Sequence, residues 1–320
     1  MNKKVTIVIP HGHTWKWTQV VVSSFKKTKN NVDYDIMIVN NSSWHNSIRG
    51  ITETKLGEGV KVVDNWKPNR FHASALDCAI ELIDTEYIFT AETDSMACKD
   101  GWLDWYLSFL EGEQKNVAVG YYWDEGGYVH NYINPSATLY RTKPVQEFNK
   151  LCMDNHDYTM YFGEGFNQTM DIREMDQSYL SWTGAFAEKR GFKQKTGSDN
   201  GRLNAGWYEP GQQLYYWLEE QGYNLIKAPV DHRYFPFPDH VPEGTYYGGY
   251  ADPYYIHFWG GTRAWDRVKH DVNDGFVLKY ENFWWEREDR IWKQVVDDDI
   301  RGKTESLMLK YPNQLNKRIE

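Results

Sequence analysis

The sequence predicts an α/β fold: a mostly parallel sheet flanked by helices, with an aromatic-rich C-terminal lobe and a helical tail. Three observations predict it. Over residues 1–125, short apolar runs alternate with stretches of helical periodicity, the pattern of βαβ units. Beyond them the chain turns irregular and aromatic, and from residue 278 onward it reads as helical, aromatic and charged. Trp, Tyr and Phe make up 16% of the chain, including 15 Trp and 23 Tyr, so the second half carries a large aromatic core, a ring-stacking surface, or both.

The elements follow in order. Val5 to Pro10 is a buried-strand run closed by proline, and Trp17 to Lys27 is helical. Asp35 to Val39 and Val60 to Val63 are the next strands. Ala73 to Ile83 is a helix, with Ala75, Leu76, Ala79, Ile80 and Ile83 at helical spacing. Glu86 to Thr90 is a strand, Trp102 to Leu110 a helix, and Val117 to Gly120 a strand again. Right-handed crossovers between such strands line their carboxyl ends along one edge, where open α/β sheets bind ligands. Ser136 to Tyr140 is a further strand. Pro210 to Gln221 is a helix with proline in its first turn and Gly222 after its end. Tyr223 to Ile226 follows as a strand, and residues 231–254 form a long loop rich in Pro, Gly and Tyr.

Composition sets limits on function. With 41% apolar and 25% charged residues, the chain is of globular type and long enough to bury a large core. A formal net charge of -9 supplies no overall basic field for nucleic acid or anionic membrane. Lys189, Arg190, Lys193 and Lys195 are one local basic patch, read as solvated surface. The three cysteines, Cys78, Cys98 and Cys152, are too scattered for a disulfide framework or zinc cluster and suit a reducing compartment. No stretch approaches the ~20 apolar residues of a membrane span, and no signal-peptide pattern opens the chain. The expectation is a cytoplasmic protein.

The strongest chemical signal is Glu92-Thr93-Asp94-Ser95, directly after the strand that ends at Thr90. Two carboxylates one residue apart at a strand end can point to the same side. Hard divalent cations such as Mg²⁺ or Mn²⁺ take one or two carboxylates plus substrate phosphates. A polar turn leading to the next helix would look the same in isolation.

The stretch from Arg70 to Ser95, a helix leading into Thr85-Glu86-Tyr87-Ile88 and then the acidic triplet, resembles the core of the inverting family-two GT-A glycosyltransferases. The opening strand ending in Pro10, and Ile38-Val39-Asn40-Asn41-Ser42-Ser43, resemble that family's first and second strand-end motifs. The likeness covers residues 4–125 well, with landmarks to residue 265. It implies a GT-A fold with a Rossmann-like sheet, a nucleotide-sugar-binding half over 1–125, an acceptor-binding half over 126–265 and a helical extension over 266–320. It implies a nucleoside-diphosphate sugar donor, a UDP-sugar by family frequency, and Mn²⁺ or Mg²⁺ held by Glu92 and Asp94. The donor side would draw on Pro10, Asn40, Asn41, Ser42, Asn65, Arg70, Thr93 and Arg263. Two departures stand out. The usual aspartate of the second motif is Asn40, and the metal motif is Glu-Thr-Asp, so Asp94 is the primary ligand, and Glu92 either joins it, binds through water or reaches the ribose.

Later landmarks complete the implied site. Trp207-Tyr208-Glu209-Pro210-Gly211 opens a helix where family members carry an acid, and Glu209 there would deprotonate the acceptor hydroxyl, with Asp176 in reserve. Electrostatic support of the helix start is the plain alternative. His257, within Tyr255-Ile256-His257-Phe258-Trp259-Gly260-Gly261-Thr262-Arg263, resembles a late metal-binding histidine of that family, with a structural histidine as the plain alternative, and the glycines would let the backbone approach a diphosphate. Arg263 would pair with phosphate, with a surface ion pair as the equal alternative. Trp182, Trp207, Tyr208, Tyr246, Tyr247, Tyr250 and Trp259 would bind the acceptor glycan or other hydroxyl-bearing partner. A modified DNA base as acceptor would need a basic groove and is disfavoured by the charge. A sugar-binding module that kept the fold and lost catalysis is the alternative from another class.

Other chemistries fit less well. A glycosidase needs its carboxylates ~5–9.5 Å apart across a bond, whereas neighbours in one turn suit a metal. No G-x-G-x-x-G follows the first strand, and no Walker A motif is present, so dinucleotide and P-loop chemistry lack support.

Overall fold

The computed structural model describes residues 4–12, 15–41, 56, 58–65, 72–122, 133–154, 211–229, 250–251, 254–257, 289 and 291–310. The expected βαβ alternation is present. Strand β1 (Val5–His11) leads into α1 (Trp15–Lys27) and returns as β2 (Tyr34–Asn40). Strand β3 (Val60–Asp64) leads through α2 (His72–Ile80) to β4 (Tyr87–Ala91). A short strand β5 (Ser95–Ala97), helix α3 (Trp102–Glu111), β6 (Asn116–Tyr122), β7 (Ile133–Arg141) and α4 (Thr142–Asp154) follow. Helix α5 (Gln212–Glu220), β8 (Asn224–Lys227), β9 (Tyr250–Ala251), β10 (Tyr255–His257) and α6 (Asp298–Lys310) complete the described elements.

Seven strands form the main sheet in the order β3-β2-β1-β4-β7-β6-β8. β1 to β4 run parallel, β7 runs against both β4 and β6, and β8 runs parallel to β6. The sheet is therefore mixed and mostly parallel. The carboxyl ends of β1, β2, β3 and β4 share one edge. β5, β10 and β9 form a second, antiparallel sheet of three strands.

Helices cover both faces of the main sheet, which is why its central strands are buried almost without interruption rather than alternating buried and exposed. On one face Ile7, Ile9, Ile38, Phe89 and Leu139 meet α1 and α3 through Val21, Phe25, Trp102 and Tyr106. On the other, Val8, Met37, Val39, Ile88 and Tyr140 meet α2, α4 and α5 through Leu76, Ala79, Phe148 and Leu214. Packing is close where β6 crosses β7. A Cβ on Gly120 would stand 2.2 Å from Thr138 Oγ1 and 2.6 Å from Ile133 Cγ2, so only glycine fits there.

Helix α1 is buried all along Trp17–Phe25 because it is covered twice. Its inner side faces the sheet. Its outer side takes the C-terminal segment, where Ile291, Trp292 and Val296 pack on Trp17 and Val20. Trp292 donates its indole N–H to Gln19 at 2.7 Å, Lys16 pairs with Asp289, and Lys27 pairs with Asp297 at 2.7 Å. The helical tail is thus part of the fold.

Two expectations are corrected by the backbone. Helix α5 begins at Gln212, with Gly211 at its N-cap at φ 87°, a conformation open to glycine, so Pro210 precedes the helix rather than sitting in its first turn. The helix expected over residues 73–83 ends at Ile80, and Leu82 and Ile83 close it by turn hydrogen bonds to Ala79 and Ile80.

Candidate metal centre

Glu92 extends β4 by one residue. Its backbone N–H donates to the Ser136 carbonyl of β7 at 3.2 Å, beyond the pair Ala91–Ala137. The chain then turns through Thr93 and Asp94 and re-enters a strand at Ser95, so the acidic triplet joins β4 to β5 instead of capping a helix. β5 pairs antiparallel with β10, placing Tyr255 opposite Ala97 and His257 opposite Ser95. That pairing brings a histidine to carboxylates far away in sequence. His257 Nε2 lies 2.8 Å from Glu92 Oε2 and 3.6 Å from Asp94 Oδ1. One ligand atom from each of Glu92, Asp94 and His257 lies within 4.8 Å of the others.

Asp94 and His257 are each 1% exposed, while Glu92 is partly open. The cluster has a buried floor and an accessible rim. Burial alone disfavours the charged imidazolium of His257. The Glu92 carboxylate at hydrogen-bond distance and the Asp94 charge outweigh that cost and push its pKa up to about 10. Two carboxylate oxygens and an imidazole nitrogen make a donor set suited to a divalent ion of the Mn²⁺ class. The residues present fit such an ion. His72, the first residue of α2, adds a second imidazole at the rim, with Nδ1 3.7 Å from Glu92 Oε1.

These charges make a pH prediction with two opposite signs. The folded pKa of His257 lies above its ordinary 6.5, so its ion pairs stabilise the metal-free fold fully below about pH 6.5 and lose that contribution as pH rises toward about 10. The Tm of metal-free protein is expected to fall across that window, more than in His257→Asn. Ligation requires neutral imidazole, so Mn²⁺ affinity is expected to rise with pH, with proton release. A parent and a variant with the same pH slope of Tm would remove the coupling.

Beside the cluster, a polar row crosses the ends of β1, β2 and β3, where His11, Asn40 and Asp64 share one register. Asn40 donates its amide to Asp64 Oδ1 at 2.8 Å, and Asn65 donates to Asn41 Oδ1 at 2.8 Å. His11 Nδ1 meets Thr18 Oγ1 at 2.8 Å, and the His11 carbonyl accepts the Asn41 N–H at 2.7 Å. Asn40 and Asn65 are buried and Asp64 is exposed, which gives an open carboxylate backed by fixed amides.

Of the sequence candidates, Pro10, Asn40, Asn41, Asn65, Glu92, Thr93, Asp94 and His257 lie along this edge or in the turn beside it. Ser42, Arg70, Asp176, Trp182, Trp207, Tyr208, Glu209, Tyr246, Tyr247, Trp259, Arg263 and the 189–195 basic patch fall outside the described residues, and of Tyr250 only the backbone is described. Sequence reading missed His11, Asp64, His72 and Tyr255. Asp64 and His11 carried a usable signal, since each ends an apolar strand run on the same edge.

No protein-family model matches the chain. No curated protein matches it. Among solved structures it is similar to a mannosyltransferase from Pyrobaculum calidifontis in complex with GDP-Man and Mn²⁺, at 12% identity and TM-score 0.44, covering 98% of this chain and 76% of that one. It is similar to the galactosyltransferase LgtC in complex with donor and acceptor sugar analogues, at 11% identity and TM-score 0.46, covering 93% and 99%. It is also similar to S. aureus TarS 1–349 in complex with UDP-GlcNAc, at 11% identity and TM-score 0.36. That match takes in 45% of this chain and only 47% of the TarS chain, about half its length. At TM-scores below 0.5 these likenesses carry none of the functional reading, which stands on this chain's own side chains. Among the described residues, no helix is long and apolar enough to cross a membrane.

Proposed function

We propose that the protein is a GT-A glycosyltransferase that moves a sugar from a nucleoside-diphosphate donor to an acceptor hydroxyl, with inversion and with a divalent ion. The observation that carries this reading is the convergence of Glu92, Asp94 and His257 within 4.8 Å at the carboxyl-end edge of a mostly parallel sheet. A glycosidase would need two carboxylates facing across a bond. Here both carboxylates face one imidazole.

Glu92, Asp94 and His257 would hold Mn²⁺ or Mg²⁺, with Asp94 and His257 as the buried anchors and Glu92 as the rim ligand. When bound, the ion neutralises charge on the diphosphate leaving group. Asn40, Asn41, Asp64 and Asn65 would orient the nucleoside, because amides and a carboxylate offer both donors and acceptors to base and ribose. Ser42, Arg70, Thr93 and Arg263 are assigned to the donor as well. Glu209 would accept the acceptor proton, with Asp176 in reserve. Trp182, Trp207, Tyr208, Tyr247 and Trp259 would stack the acceptor. UDP is the proposed nucleotide. A cytoplasmic setting is proposed because the three cysteines, Cys78, Cys98 and Cys152, are too few and too scattered for a disulfide framework.

The test is turnover of UDP- and GDP-sugars with Mn²⁺. Nucleoside diphosphate release is expected with one of them, lost in excess EDTA and restored by Mn²⁺ or Mg²⁺. Release from none of them overturns the proposal, and full release in EDTA removes the ion from it.

A further inference from the structure

The carboxylate turn is held from behind by a side chain with no place in the donor chemistry. On β10, Tyr255 and His257 are two residues apart, so they share one face of the strand. His257 reaches Glu92 with its ring. Tyr255 reaches the same turn with its hydroxyl, which lies 2.5 Å from Ser95 Oγ. Ser95 Oγ donates its single hydrogen to the Glu92 carbonyl at 2.5 Å. Tyr255 is therefore the donor in the first contact, and the order is Tyr255 O–H to Ser95 Oγ–H to the Glu92 carbonyl.

The tyrosine ring has no freedom to give. It is fully buried, 5.6 Å from Phe89 in an edge contact, 5.7 Å from Trp102 and 6.2 Å from Phe25. Its neighbour Tyr254 stacks on Trp105 at 5.3 Å, and the Tyr254 carbonyl accepts the Cys98 N–H at 2.7 Å, which extends the β5–β10 ladder by one bond. The Tyr255 hydroxyl points out of this aromatic nest at the turn that carries Glu92 and Asp94.

Resting on the metal-site reading above, we propose that Tyr255 and Ser95 are positioning residues: their hydrogen-bond chain fixes the Glu92 main chain, so that the Glu92 and Asp94 carboxylates meet His257 before any ion arrives. Such outer partners govern metal affinity while touching neither ion nor substrate. One short strand, β10, carries both Tyr255 and His257. Docking β10 on β5 delivers the ligand and the brace in a single step.

The experiment is Mn²⁺ affinity by isothermal titration on the parent, Tyr255→Phe, Ser95→Ala and the double variant, with Tm recorded for each. Tyr255→Phe keeps the ring in its nest and removes only the hydroxyl. It is expected to weaken Mn²⁺ about tenfold, within the ~10- to 100-fold that outer-shell partners command. Ser95→Ala should do the same. The double variant should be no weaker than the worse single one, because either change breaks the same chain. A parent that binds Mn²⁺ with Tyr255→Phe unchanged overturns the brace and leaves the metal site standing. So does a fall in Tm with unchanged affinity, the mark of a packing role alone. A parent that binds no Mn²⁺ overturns both.

Discussion

Asp94→Ala is expected to abolish Mn²⁺-dependent donor binding and sugar transfer while the fold survives. Asp94 is 1% exposed and faces His257 Nε2 at 3.6 Å, so it supplies charge to the floor of the cluster, where water cannot replace it. The loss of Mn²⁺ affinity should exceed the ~100-fold ceiling typical of outer-shell partners, because a ligand itself is gone. The fold should survive, with a lower Tm from the lost His257 contact, because the Asp94 side chain is not part of the apolar clusters on the two faces of the sheet. Asp94→Asn is the control on shape: it fills the same space without the charge. Near-parent Mn²⁺ affinity in Asp94→Asn would mean that the carboxylate does not ligate. Circular dichroism and Tm separate loss of binding from loss of structure.

Glu209→Gln is expected to lower kcat by about 10²-fold or more while donor affinity stays near the parent value. A single in-line displacement needs one base on the face opposite the leaving diphosphate, and an amide of the same shape cannot take the proton. The same mechanism makes an α-linked donor yield a β-linked product, read from the anomeric proton coupling when the sugar has an axial H2. Retention of the donor's configuration would end the single-displacement account. Inversion with a fully active Glu209→Gln would move the base elsewhere, and Asp176 would be tested next.

Much of the fold was legible because βαβ units write themselves locally. An apolar run such as Val5 to Ile9, a helical stripe such as Ala75, Leu76 and Ala79, and a strand-end polar residue can each be read without knowing the rest of the chain. Strand direction cannot. Nothing in the residues of β7 says that it runs against its neighbours, since direction is set by the connection and not by the side chains. β5 and β10, of three residues each, are too short to show a period, so the second sheet was invisible. The site divides the same way. Glu92 and Asp94 announce themselves by spacing within one turn. That His257 lies against them depends on a strand pairing across 165 positions, which the family resemblance suggested and the residues alone did not. His72 and Tyr255 were missed because a helix-opening histidine and a core tyrosine look ordinary until their partners are seen.

The central claim is that Glu92, Asp94 and His257 hold one divalent ion. Electron paramagnetic resonance of free Mn²⁺ tests it directly, since bound Mn²⁺ drops out of the aqueous signal. The protein is titrated with and without UDP or GDP, alongside His257→Ala. One Mn²⁺ per chain is expected to leave the free signal in the parent, more tightly with the nucleotide, and to bind far more weakly in His257→Ala, whose circular dichroism stays that of the parent while its Tm falls through loss of the ion pairs to Glu92 and Asp94. A free Mn²⁺ signal undiminished by excess parent protein with either nucleotide, or a variant that binds as the parent does, would contradict the account.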